Sequence, residues 1–168
     1  MFRKTTRSAF TLVELLVVVA IIGLLAAMLL PVLNRVQAAS RATDCTNNLR
    51  QIGQGMALYL GVSQGRYPIA ARKPSAGGLP SLVRVMAGRV DSEEVWHCPE
   101  DQTFVALEGL SYEWNSFLNG EVLQATTIYK LAKSNTAAVP IMGDYEKIHD
   151  QGRSKLVLFA DGHVEELH

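Results

Sequence analysis

The sequence predicts an α+β protein in which a long N-terminal helix, apolar in its first half and amphipathic in its second, packs on a small antiparallel sheet. Three observations predict it. An apolar run fills residues 10–34, apolar residues then recur at steps of three and four, and an apolar strand near the C-terminus is followed by Asp161-Gly162, a turn signal.

From Leu15 to Leu33 no residue carries a charge. At ~1.5 Å of rise per residue a helix of that length reaches roughly 28 Å, close to one hydrocarbon thickness, so residues 10–34 are expected to span a membrane. Residues 1–9 form a short leader with Arg3, Lys4 and Arg7 and no acid, which places the amino end on the cytoplasmic side. Glu14 sits at the edge of the apolar run, where an unpaired carboxylate costs a few kcal/mol, and so implies a partner or a task. Pro31 removes a helical donor and crowds the preceding turn, so a kink or local unwinding is expected there.

This segment resembles the processing signal of type IV prepilins and of the pseudopilins of type II secretion. The residues that carry the resemblance are Ala9, Phe10, Thr11, Leu12, Val13, Glu14, Gly23 and Pro31. The family usually has Gly before the cut, and Ala9 departs from that. The resemblance implies a prepilin peptidase that cleaves between Ala9 and Phe10 and methylates the new amine of Phe10. It implies also that Glu14 neutralises the freed amine of a neighbouring subunit in an apolar filament core. The expected partners are therefore prepilin peptidase, other pilin or pseudopilin subunits in a homo- or hetero-polymer, and the inner membrane. The implied location is single-pass in the inner membrane with the folded domain periplasmic, reaching the cell surface if assembled into a pilus.

The 168 residues, less a membrane helix, leave room for one modest domain. The leader holds three of the 16 basic residues, so the remainder carries 13 against 16 acidic ones. A mildly acidic surface without a clustered basic face gives no reason to expect nucleic acid as the main partner. The leader is too polar and short for a secretory signal, so the apolar segment is expected to be retained. Beyond it the chain is expected to lie in an oxidising space, where Cys45 and Cys98, the only two cysteines, can pair. A bridge would close a loop of ~54 residues, worth about 4 kcal/mol in the chain-entropy treatment. Two independent thiols are the other reading.

Residues 35–62 continue as an amphipathic helix entering the folded domain. Cys45, Leu49, Ile52, Met56 and Tyr59 mark its apolar face, with Ala38 and Ala42 extending it backwards. Gly53 and Gly55 lower its regularity, and Gly61 is a natural stop. Residues 63–168 form the C-terminal α+β domain. Ser63 to Pro80 reads as a loop, and a short helix begins at Pro80 or Ser81. Val95 to Asp101 reads as a strand end running into a turn, Ser111 to Leu118 as a strand or packed turn, and Ile128 to Leu131 as another short strand. Ala137 to Met142 reads as a strand with Pro140 at an edge or bulge. Lys155 to Ala160 reads as a central strand, with a tight primed turn at Asp161-Gly162 returning through His163 and Val164.

The second half also resembles a family. Cys45-Thr-Asn-Asn-Leu-Arg-Gln-Ile-Gly, Tyr67-Pro68, His97-Cys98-Pro99 and Leu158-Phe159-Ala160-Asp161-Gly162-His163-Val164 are similar to the large pilin-like family of Planctomycetes, Verrucomicrobia and relatives. Members often end with a His, nine residues and Asp-Gly. Here eleven residues separate His149 from Asp161, a departure from that pattern. The resemblance implies a pilin-like domain and no particular chemistry.

No residue pattern argues for catalysis. Ser111, Ser116 and Ser134 lack a nucleophile setting, and the glycines at 53–55 and 77–78 are too short to cradle a phosphate. His97 beside Cys98 offers two zinc ligands, but no second Cys or His follows at ligand spacing, and a packed histidine beside a disulfide is preferred. Asp144, Asp150 and Asp161 form no calcium loop. Trp96, Tyr112 and Trp114 read as core. No resident metal or cofactor and no enzyme activity are expected. The function expected is a structural subunit of a type IV pilus or type II pseudopilus. The alternative is a non-polymerising, membrane-anchored periplasmic binding module.

Overall fold

The computed structural model describes residues 12–90, 92–149 and 152–168. Helix α1 (Leu12–Val62) belongs to two units, Met1–Gln37 and Ala38–His168. In the first unit the helix is continuous on both sides of Pro31. Every large apolar side chain from Leu12 to Leu33 keeps at least 43% of its surface exposed. Such a surface is stable only against lipid or other apolar helices.

In the second unit the predicted stripe is the buried one: Cys45, Leu49, Ile52 and Met56 lie inside, with Tyr59 partly covered. They face a four-stranded antiparallel sheet in the order β1 (Tyr112–Trp114), β2 (Pro140–Asp144), β3 (Lys155–Phe159) and β4 (Val164–Leu167). Because side chains alternate across a strand, register decides which residues meet the helix. Trp114, Met142, Leu158 and Val164 make one inward row through successive pairings. Glu113, Gly143, Val157 and Glu165 make the adjacent outward row.

The two helix glycines are contact points. A Cβ at Gly53 would sit 3.1 Å from Leu158 Cδ1, and one at Gly55 would sit 2.9 Å from the Arg89 carbonyl oxygen. They let the sheet and the 89–90 backbone approach α1, and the helix stays regular through both to Val62.

Ser63 to Pro80 is a loop carrying one 3-10 turn at Pro74–Ala76. Asn119 ties it down: its Oδ1 accepts from Ala70 N (3.1 Å) and Trp114 Nε1 (2.7 Å), and its Nδ2 donates to the Ala70 carbonyl (2.9 Å). Helix α2 (Leu82–Val85) starts at the Ser81 cap, as expected. Two expected strands are helical instead. Glu93–Trp96 is a 3-10 turn capped by the Ser92 side chain, and α4 (Thr127–Leu131) follows the Thr126 cap, whose side chain accepts from Tyr129 N. In both places the capping oxygen satisfies a backbone donor that a strand would have sent to a neighbour. A further helix, α3 (Phe104–Glu108), is capped by Asp101, which accepts from the amides of Thr103, Phe104 and Val105.

Pro140 opens β2 at a register irregularity, so its missing donor costs no ladder bond. The β3–β4 connection differs from the tight primed turn expected. Gly162 N donates to the Phe159 carbonyl and Phe159 N to the His163 carbonyl, with Gly162 alone of the turn residues at positive φ (+92°). This is a three-residue loop closed by a left-handed glycine.

Candidate functional site

Of the residues assigned to processing, Ala9 and Phe10 lie outside the described residues, as does Thr11. Glu14 lies on α1, two residues after the first described residue, with its side chain exposed. Pro31 lies within the same helix. The helix is long and apolar enough to cross a membrane.

The second concentration of chemistry surrounds Cys45 and Cys98, which form a disulfide with Cα atoms 4.9 Å apart. Cys45 comes from the buried face of α1, and Cys98 from the turn after Trp96, where its amide donates to Ser111 Oγ (2.8 Å). The histidine against this bridge is His149, not His97. His97 lies at the surface with its ring Nε2 3.1 Å from the Gly109 carbonyl oxygen, because Cys98 turns inward and its neighbour therefore outward.

His149 is fully buried between β2 and β3. Its amide donates to the Ser154 carbonyl (3.0 Å), and its own carbonyl accepts from Gly152, Arg153 and Ser154, a tight reversal that aims the ring inward. Nε2 lies 3.2 Å from Asp144 Oδ2 and 3.7 Å from Cys98 Sγ, while Nδ1 lies 3.7 Å from Glu100 Oε2. Asp144 reaches the same place because it pairs with Tyr112 in register and so faces the helix. Its Oδ2 also accepts from Leu156 N (2.6 Å). Ser154, also buried, bonds Glu166 of β4. Arg41 Nε, 3.2 Å from Glu100 Oε1, closes the cluster from α1.

Burial pushes the Asp144 carboxyl above its usual range, against the bonds from His149 and Leu156. Burial alone would lower the His149 imidazole. The bond and charge of Asp144, with the charges of Glu100 and Glu166, outweigh it and raise the imidazole above its ordinary value. Two buried polar atoms here, Asp144 Oδ1 and His149 Nδ1, have no hydrogen-bond partner.

The fold puts Asp144 against His149 and Asp161 in the exposed β3–β4 turn beside His163, while Asp150 lies outside the described residues. Sequence reasoning missed Glu100, Ser154 and Glu166, and the His149–Asp144 pair as a pair. An Asp ending an apolar strand five residues before a His was the available signal.

The outward face of the sheet holds a groove of about 550 Å³. Gly143 and Val157 contribute its floor and Phe117 and Phe159 its walls, with the Arg72–Glu113 ion pair (2.7 Å) among its lining. Trp96, Tyr112 and Trp114, read as core, are all buried.

Among known proteins, residues 4–30 match the family described as the prokaryotic N-terminal methylation motif. No curated protein and no solved structure matches the chain. The matched motif is the prepilin signal of type IV pilins and pseudopilins. The chain thus joins this motif to one apolar N-terminal helix long enough to cross a membrane and to a pilin-like α+β architecture.

Proposed function

We propose that the chain is a structural subunit of a type IV pilus or a type II secretion pseudopilus. The observation that carries this reading is the coincidence of the methylation motif at residues 4–30 with a helix whose apolar side chains are uncovered from Leu12 to Leu33. The leader keeps the amino end cytoplasmic and the helix in the inner membrane, with residues 35–168 in the periplasm. Prepilin peptidase cuts between Ala9 and Phe10 and methylates the Phe10 amine. The helices of many copies then bundle through their apolar faces, which replaces lipid contact by protein contact. Glu14 of one subunit neutralises the Phe10 amine of the next, so that a wrong register leaves two charges in apolar surroundings.

Mass spectrometry of the protein recovered from its native cells tests this. The expected chain begins with methylated Phe10 and is found in sheared surface fibres or in a periplasmic pseudopilus. A working form that still bears Met1 overturns the proposal.

A further inference from the structure

We propose that the thiol form of this protein binds a zinc-class divalent cation between Cys45, Cys98 and His149, so that one buried site is closed either by a disulfide or by a metal. The Sγ atoms and the nearer imidazole nitrogen lie within 4.8 Å of one another, and all three residues are buried. Two thiolates and an imidazole are a zinc donor set, with bonds of about 2.3 Å to sulfur and about 2.0 Å to nitrogen. In a tetrahedron of those bonds a sulfur and a nitrogen stand about 3.5 Å apart. Cys98 Sγ and His149 Nε2 already stand 3.7 Å apart.

The surroundings fit as well. A metal-bound imidazole donates its second N–H to a carboxylate or carbonyl in nearly every protein site. His149 Nδ1 has no hydrogen-bond partner, and the nearest carboxylate to it is Glu100, Oε2 at 3.7 Å. A closure of under about 1 Å completes that bond. Asp144 lies beside the ligating nitrogen, its Oδ2 3.2 Å from Nε2. Its Oδ2 stays on the Leu156 amide while Oδ1, buried and without a hydrogen bond, is free to turn toward the ion or its water. These two orphaned atoms are what a closed, disulfide-only core leaves unexplained.

Exchange between the two forms balances. An incoming disulfide accepts two electrons from the metal-bound thiolates: the Cys45–Cys98 bond forms, the incoming S–S bond breaks into two thiolates, and the cation leaves with its charge unchanged. A dithiol reductant reverses the step, and metal binding then displaces the two thiol protons.

The test uses the full chain in detergent micelles, purified without a histidine tag, oxidised or reduced with a dithiol that is then removed. Cobalt(II) is added first and competed with zinc. The reduced chain is expected to bind one cobalt with the intense visible bands of a tetrahedral thiolate site, and zinc to bleach them. Zinc should raise the Tm of the reduced chain only. His149→Gln should weaken binding at least tenfold. Glu100→Gln, at the margin of the core, should weaken it by about 10- to 100-fold while leaving the fold intact. The proposal is overturned by a reduced chain that binds no cobalt, that stays unfolded with zinc, or that binds equally well in Glu100→Gln. Equal binding by the oxidised chain overturns it too.

Discussion

His149 Nε2 lies 3.2 Å from Asp144 Oδ2, and both side chains are wholly shut off from solvent. The contact ties the reversal before β3 to the end of β2, beside the bridge that ties α1 to the turn after Trp96. Asp144 Oδ2 also accepts from Leu156 N, and Glu100 Oε2 lies 3.7 Å from the other ring nitrogen.

Removing one partner of a buried pair leaves the other uncompensated, which costs about 3–5 kcal/mol. Asp144→Ala is therefore expected to destabilise the folded domain by that amount, through the orphaned imidazole and the lost Leu156 acceptor. Chemical denaturation of wild type and variant checks it. A change under about 1 kcal/mol, the size of a surface effect, would show that the contact carries no weight.

Two glycines of α1 should respond oppositely to alanine. Gly61 has open space around it, so Gly61→Ala gains helix propensity, up to about 1 kcal/mol. At Gly55 the new methyl would stand 2.8 Å from Val90 Cγ2 and 2.9 Å from the Arg89 carbonyl oxygen. Backbone cannot yield as a side-chain tip does, so Gly55→Ala is expected to lose about 1–3 kcal/mol to overpacking. Thermal melts of both variants should move in opposite directions, and a stabilised Gly55→Ala would contradict the close approach.

Asn119 serves three hydrogen bonds at once, to Ala70 N, the Ala70 carbonyl and Trp114 Nε1. Trp114 is 1% exposed, so its N–H has no water to turn to. Asn119→Ala should cost about 2–4 kcal/mol, since each buried group left unpaired costs about 1–3 kcal/mol. The indole emission of the folded variant should shift as Trp114 loses its acceptor. An unchanged melt would mean that the 63–80 loop is held elsewhere.

The legible parts of the fold were those specified by local periodicity. Cys45, Leu49, Ile52 and Met56 fall at helical spacing, and residues 156–160 form an apolar run ahead of Asp161-Gly162, so the α1 face and β3 could be read directly. The misread segments were short. Ile128 to Leu131, with a β-branched and an aromatic residue, reads as a strand, yet Thr126 supplies an N-cap and the segment lies in α4. In Glu93–Trp96 the capping Ser92 and two acids in the first turn were helix signals of the same kind. The His149 cluster was illegible for a different reason. Its members come from α1, the turn after Trp96, β2, the 149–154 reversal and β4, and only sheet register brings Asp144 to face the helix.

Pro31 lacks the donor that an interior helical residue gives, and a proline there costs a helix about 3 kcal/mol. If the proposed bundle needs a helix that can bend at this point, Pro31→Ala should give a stiffer anchor and fewer or irregular filaments, with processing at residues 9–10 unchanged. Electron microscopy of sheared fibres, beside an immunoblot for the cleaved chain, reads both. Normal filaments in normal number would remove Pro31 from the assembly mechanism.

Glu14 separates assembly from simple anchoring. It is exposed on α1, among side chains suited to lipid or to other helices. Exchanging it for leucine makes the segment more apolar, so insertion and cleavage should proceed as in wild type. What Glu14→Leu removes is the counter-charge for the Phe10 amine of the next subunit. A charge held in apolar surroundings without a partner costs about 3 kcal/mol on insertion scales, which at 1.4 kcal/mol per factor of ten lowers incorporation on the order of 100-fold. The expected result is therefore a membrane pool of processed, methylated chains with almost none in fibres. Mixing wild-type and Glu14→Leu chains in one cell sharpens the reading, because a variant whose own Phe10 amine is intact can still be capped by a wild-type neighbour and should enter filaments at low frequency. Incorporation of Glu14→Leu at the wild-type level would leave the helix as an anchor alone, and the folded domain as the place to look for function.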